Sequence, residues 1–307
     1  VIAVPYEELT RGNEGFVTRS EQSALHWSRV FVCGLGGSGG AAVQSLVRAG
    51  VGGFGIADGS RFRTSSMNGH VFATGWTLGR TRAGATREAL LDINPRARVE
   101  TFETGWPQAL DEILPRHDVV VNGLDDLPET LILYRKAREW GVTVVDSYAS
   151  SLPSVTVVRP EDPRPEERLD LRTAGHPPQE LSPEQRREAT LREMAYAAAV
   201  APVIERFDPT VLGAILTGRR EASSFAPAVI TTGNLMAMEA LNVLLERPSG
   251  AGCGGYFLDL WTGRVHRPGP DRLVRRRSEA ARGVLLRLRE AADAGGPPEE
   301  GTEPANV

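Results

Sequence analysis

The 307-residue sequence contains two cysteines, Cys33 and Cys253, and a single lysine, Lys136. Two thiols cannot make a four-cysteine zinc site, and Cys33 lies inside the apolar run RVFVC, where a thiol ordinarily serves as a small buried hydrophobe. All other positive charge is arginine, so any cation clamp has to be built from guanidinium groups. No apolar stretch approaches the roughly 20 residues needed to cross a bilayer, and the N-terminus has neither a basic start nor an apolar signal segment. A cytoplasmic location with no membrane partner is expected. Excess positive charge is also lacking: a net charge of -4 and a pI near 5.9 provide no basic field for nucleic acid.

What is present is 41% hydrophobic residues, enough for a full core, in a pattern that alternates between two periods. TRSEQSAL offers Thr18 and Glu21 as a capping box that opens a helix. RVFVCGLG, SGGAAVQSLVRAG and GGFGIAD then read as strand, helix and strand. TLGRTRAGATREALLDIN reads as a helix, ARVETFET as a strand, and DVVVNGLDD, PETLILYRKAREWG and VTVVDSYAS as strand, helix and strand. The expected fold is α/β: a Rossmann-like, doubly wound, mostly parallel sheet with helices on both faces. Past Ser151, RPEDPRPEERLDLRTAGHPPQELSPEQRRE is rich in proline and charge and reads as an insertion or mobile loop. Helices follow around TLREMAYAAAVAPVIERF and TTGNLMAMEALNVLLE, and GYFLDLWTGRVHR reads as a closing antiparallel hairpin turning at Thr262-Gly263.

The turn GLGGSGG supplies glycine where each step of a nucleotide-binding turn needs it. Gly34 allows the tight exit from the strand, Gly36 lets backbone approach a phosphate, and Gly37 and Gly39 permit close helix packing. The N–H groups and dipole at the start of the next helix favour an anion. Asp58 closes the second strand, where it can hydrogen-bond a ribose. Strand, turn, helix and acid together point to a nucleotide; they do not say whether it is a cofactor or a substrate.

The ordered blocks RGNEGFVTRSEQSAL, SRVFVCGLGGSGG, AGVGGFGIAD, SSMNGHVF, LGRTRA, INP, VVVNGLDD and MAMEALNVLLE resemble the ThiF/MoeB/HesA adenylating enzymes, relatives of the ubiquitin-activating enzymes. The resemblance implies a homodimer that binds ATP with magnesium and adenylates a carboxylate on a peptide, carrier protein or small metabolite in a biosynthetic pathway. It divides the chain into an N-terminal helical arm (1–27), an adenylation domain (28–270) with a variable insertion at about 159–224, and a C-terminal helix with a disordered tail (271–307). Carried over by position, Gly34, Gly36, Gly37 and Gly39 match the phosphate turn, and Asp58 the ribose acid. Asn68 matches a retained asparagine near the nucleotide, Asp125 the aspartate that holds magnesium, Arg82 the position of a triphosphate lysine, and Arg11 an arginine that crosses the dimer to the γ-phosphate.

The departures from the family pattern matter as much. Gly12 separates Arg11 from Asn13, Ser66 replaces an asparagine, and Gly69 and His70 replace an arginine and a glutamine. One expected cation is missing at Gly69, which weakens electrostatic stabilisation of a triphosphate unless another arginine substitutes. His70 is open to three readings: a base when neutral, a replacement cation when charged, or a polar residue at a helix start. The zinc knuckle and reactive cysteine of the sulfur-transferring relatives are absent, so no zinc is expected and Cys253 carries no assigned role. The insertion is the expected wall of the substrate pocket, with Arg219 or Arg220 available to a substrate carboxylate. Two other readings stand beside adenylation: a non-catalytic nucleotide- or partner-binding scaffold, and an NAD-dependent oxidoreductase using the same turn.

Overall fold

The computed structural model describes residues 4–294. Along β1 (Arg29–Cys33), Val30 and Val32 pack into one core layer and Phe31 and Cys33 into another. A strand covered on both faces is apolar along nearly its whole length, and this is why the run is continuous rather than alternating. The same holds for β2 (Gly53–Ala57) and β4 (Val119–Asn122), whose residues are all buried.

One eight-stranded sheet has the order β3-β2-β1-β4-β5-β6-β7-β8, completed by β3 (Arg98–Phe102), β5 (Thr143–Asp146), β6 (Ser154–Val158), β7 (Tyr256–Asp259) and β8 (Arg264–His266). β1 to β5 are parallel and the last three strands are antiparallel. The expected closing hairpin is β7–β8, its turn completed by Gly263 at φ 69°. β6 had not been expected: SVTVV folds back beside β5 just where the composition turns proline-rich. Strand order reverses between β1 and β4, so the crevice at their carboxyl ends is the place where such sheets bind ligands.

The arm holds α1 (Tyr6–Thr10) and α2 (Arg19–Trp27), the latter opened by the expected Thr18–Glu21 capping box. α3 (Gly37–Arg48), α4 (Arg82–Ile93) and, late in the chain, α10 (Ala226–Leu244) cover one face of the sheet; α5 (Leu110–Ile113) and α6 (Leu127–Glu139) cover the other. The helix expected from Thr77 begins only at Arg82, because Gly79 takes φ 78° and Arg61 bridges to Thr81. No helix among the described residues is long and apolar enough to cross a membrane.

The segment read as a loop is ordered through its polar residues. α7 (Pro165–Arg168) carries Glu166, 1% exposed, which takes Arg135 of α6 in a two-pronged pair at 3.1 and 2.7 Å. The prolines do not break helices here. Pro165 and Pro183 stand at the first position of α7 and of α8 (Pro183–Val200), where the missing N–H has no helical partner to lose. α8 and α9 (Pro209–Leu216) pack on α11 (Asp271–Ala294) through Leu191, Leu212 and Leu285. The tail expected to be disordered, 295–307, lies outside the described residues.

Glu166→Ala leaves the Arg135 guanidinium half-buried without its carboxylate, a change that destabilises by about 3 kcal/mol. Chemical denaturation should show this loss, and limited proteolysis should show new cleavage between Arg159 and Leu181; a variant as stable and as resistant as the parent would mean the segment is held by other contacts.

Candidate functional site

The glycine turn is set by backbone meeting backbone. Gly34 leaves β1 at φ 80°, and a side-chain carbon on it would stand 2.3 Å from the Gly123 carbonyl oxygen at the exit of β4. A carbon on Gly39 would stand 1.9 Å from the Gly34 carbonyl oxygen. The turn, the first coil of α3 and the β4 exit therefore fit together only as three glycines. The third, Gly123, was passed over in the sequence as part of NGLDD. Gly36 caps α3 without a side-chain acceptor, so the leading N–H groups of the helix are left for water or an anion.

A carbon on Gly36 would face His70 at 3.5 Å and Arg82 at 3.7 Å, which identifies what borders the space over the turn. Arg82, at the first turn of α4, pairs with Asp58 at 3.3 Å, while its Nε is sealed from solvent without a partner among the described residues. Asp58 is buried and accepts the Leu35 and Ser60 N–H groups, each at 2.8 Å, so its position is fixed from both oxygens. Asp125 is reached by solvent, yet protein stands close on most sides. That surrounding raises its carboxyl above the usual range, with Arg82 opposing the rise and Asp58 adding to it. Asp58, Arg82 and Asp125 thus occupy one electrostatic neighbourhood. Burial and then Arg82 push the His70 imidazole below its ordinary value, which favours its neutral form and speaks against a cation at that position.

The missing arginine at Gly69 has a steric counterpart. A side-chain carbon there would lie 2.1 Å from Ser224 Oγ, and Asn68 Nδ2 donates to the Ser224 carbonyl. The segment before α10 occupies the room a longer residue would need, and Val229 of α10 comes as close to Gly37. Asn68 therefore holds that segment rather than facing the turn directly. Arg11 is apart: it pairs with Glu8 on the arm and lines a separate groove with Tyr6, Gln22 and His26. Arg219 is drawn to Asp293 at the end of α11.

The donor set fits a nucleoside triphosphate, with an uncapped helix start, an arginine with an unused sealed N–H, and a buried acid at the second strand end. No group of three metal-ligating side chains gathers among the described residues. Magnesium carried on phosphates needs only one or two carboxylates, and Asp125 meets that demand. Three groups near the crevice escaped the sequence reading: Asp146 at the end of β5, Glu193 on α8 and Arg168 on α7. Asp146 alone had a signal, a carboxylate closing a parallel strand.

The chain matches the ThiF family over residues 11–272. It is 29% identical over 154 residues to a molybdopterin-synthase adenylyltransferase of Haemophilus influenzae, covering 48% of this chain and 63% of that one. Against a sulfur carrier protein adenylyltransferase of Thermus thermophilus it is 35% identical over 109 residues, 35% of this chain and 40% of that one. The chain spans about half the length of the curated relatives it matches. In fold it is similar to PaaA (TM-score 0.58, 16% identity, 86% of this chain and 78% of that) and to Escherichia coli MccB with ATP (TM-score 0.58, 13% identity, 81% and 65%). With a match that runs from the arm to the start of α11, this chain belongs to the ThiF family.

Proposed function

We propose that the chain adenylates a carboxylate of a peptide, carrier protein or small molecule, using ATP as substrate. The observation that carries this reading is the convergence of Arg82, with its partnerless Nε, and Asp125 on the uncapped start of α3. Relatives named as adenylyltransferases support it. The α3 N–H groups and Arg82 would hold the triphosphate, with Gly34, Gly36, Gly37 and Gly39 letting backbone approach it and Asp58 fixing the ribose end. A substrate carboxylate oxygen then attacks the α-phosphorus, the bond to the bridging oxygen of the β-phosphate breaks, and pyrophosphate leaves with that electron pair. Bound between Asp125 and the phosphates, magnesium would neutralise charge that builds on the leaving group. Arg82 does the same from the protein side, and swinging to the phosphate would release it from Asp58.

The proposed working unit is a homodimer. The Arg11 side chain is 69% exposed on the arm and lines a groove that contains none of the turn glycines, which suits an arginine that serves a second copy. Trp76, 91% exposed, and Phe16, 81%, are apolar surface for such a contact.

ATP titration with magnesium, with NAD as control, should give binding for ATP alone, and pyrophosphate exchange should then appear with a matching acid; stabilisation by NAD and not by ATP would end this reading. Asp125→Asn should abolish the magnesium dependence of ATP affinity while the fold melts as before, and unchanged dependence would remove Asp125 from the site. Arg82→Met should lower exchange by about a hundredfold, on the scale of other lost charge-stabilising donors, with Arg82→Lys in between. Mixing Arg11→Ala with Arg82→Met chains should restore part of the exchange through hybrid dimers, and no recovery would mean that Arg11 does not act across copies.

A further inference from the structure

The triphosphate reading leaves one group at the glycine turn without a task, the imidazole of His70. A side-chain carbon on Gly36 would stand 3.5 Å from its Cε1, 3.6 Å from its Nε2 and 3.7 Å from Arg82 Nη1. One edge of the ring and one guanidinium nitrogen therefore border the same point over the uncapped start of α3. The backbone around the ring is fixed: the His70 N–H bonds the Ser66 carbonyl at 3.0 Å, and the His70 carbonyl accepts the Ala73 N–H at 2.9 Å. The next two residues, Val71 and Phe72, lie against α3, where a carbon on Gly40 would meet them at 3.6 and 3.7 Å. Buried Phe62 meets the imidazole edge-on, with ring centroids 6.2 Å apart.

The two ring nitrogens stand in different surroundings. Nδ1 is sealed from solvent without a partner among the described residues, whereas Nε2, the nitrogen nearest Gly36, is not sealed. A charged ring would carry an N–H on both nitrogens and so bury one donor with nothing to meet it. Burial, and after it Arg82, acts in the same direction by moving the imidazole below its ordinary value, with Asp58 opposing. The neutral ring has one proton to place. On Nδ1 it would be an orphaned buried donor; on Nε2 it faces the space over the turn, where a phosphate oxygen is an acceptor.

We propose that His70 donates its Nε2 N–H to a phosphate oxygen of the nucleotide, as a neutral donor beside Arg82. The bond is charge-assisted through the anionic oxygen, and it avoids the repulsion a second cation would meet from the guanidinium. This contact rests on the nucleotide reading of the turn and not on the adenylation step.

Two measurements on the full chain test it. Nitrogen-15 NMR of the five histidine rings, with His70 assigned by its loss in His70→Gln, should show a neutral ring with its proton on Nε2 at pH 7 and a shift of that nitrogen on adding ATP with magnesium. A proton on Nδ1 in the free chain, or a doubly protonated ring with ATP bound, would overturn the contact. Calorimetric titration then compares the parent with His70→Gln, which keeps a neutral N–H donor, and His70→Leu, which has none. His70→Leu should weaken ATP about tenfold or more and leave adenosine, which has no phosphate, within about twofold; His70→Gln should keep most of the ATP affinity. Unchanged ATP affinity in the leucine variant overturns the contact, and so does equal loss for ATP and adenosine, the mark of a merely structural role. If melting curves show the leucine variant unfolded, the ring spectrum and the glutamine variant decide. A parent chain that binds no ATP overturns the contact together with the nucleotide reading. An ATP-selective loss in a chain that exchanges pyrophosphate with no acid supports the contact and counts against adenylation alone.

Discussion

The contact on which the rest of the site depends is backbone against backbone, where Gly34, Gly39 and Gly123 meet with no room for a side-chain carbon on any of them. It joins the exit of β1, the start of α3 and the exit of β4, the three pieces that bracket the reversal of strand order. Helix α3 is thereby aimed with its uncapped start at the crevice, and β4 delivers Asp125 to the same place two residues later. Nothing in this contact is chemically reactive. It determines where the reactive groups can stand, and an added methyl would separate the pieces by more than a hydrogen bond tolerates.

Charge is arranged around that frame economically. Arg82 answers Asp58 and leaves an N–H sealed and without a partner among the described residues. The cation missing at position 69 is not replaced by His70, whose burial beside Arg82 favours the neutral ring. Its absence coincides with the closeness of Ser224, which brings the start of α10 over the turn. A second helix start beside the glycine turn places positive potential in the same volume by other means.

The parts legible in the sequence are those where one local physical demand has one answer. Strands covered on both faces must be apolar along nearly their whole length, so β1, β2, β4 and β5 could be read, and a turn with no space for Cβ must be glycine. β6 was hidden because SVTVV borders a proline-rich stretch, and α8 began early because Pro183 starts a helix that the eye takes it to break. Glu193, Arg168 and Ser224 could not be found that way. They come from chain segments whose polar composition permits a loop as readily as a wall, and only the docking of α7, α8 and α10 brings them to the crevice. Asn68 shows the converse, a residue matched by position whose amide is spent on the Ser224 carbonyl.

The two carboxylates beyond Asp125 bear on why that region is built as it is. Burial raises Asp146 from 3.8 to about 6 and Glu193 from 4.5 to about 7. A carboxyl whose folded value is raised contributes stability that is fully present below its unfolded value and is lost as pH rises through the folded one. Near neutral pH, then, both groups weigh against the fold, and apolar residues of similar size would be the stabler choice. Asp146 is compensated by three donors and Glu193 by one. Structural ion-pair networks and functional sites both perturb carboxyl groups in this way, and of the two carboxylates Glu193 is the less compensated.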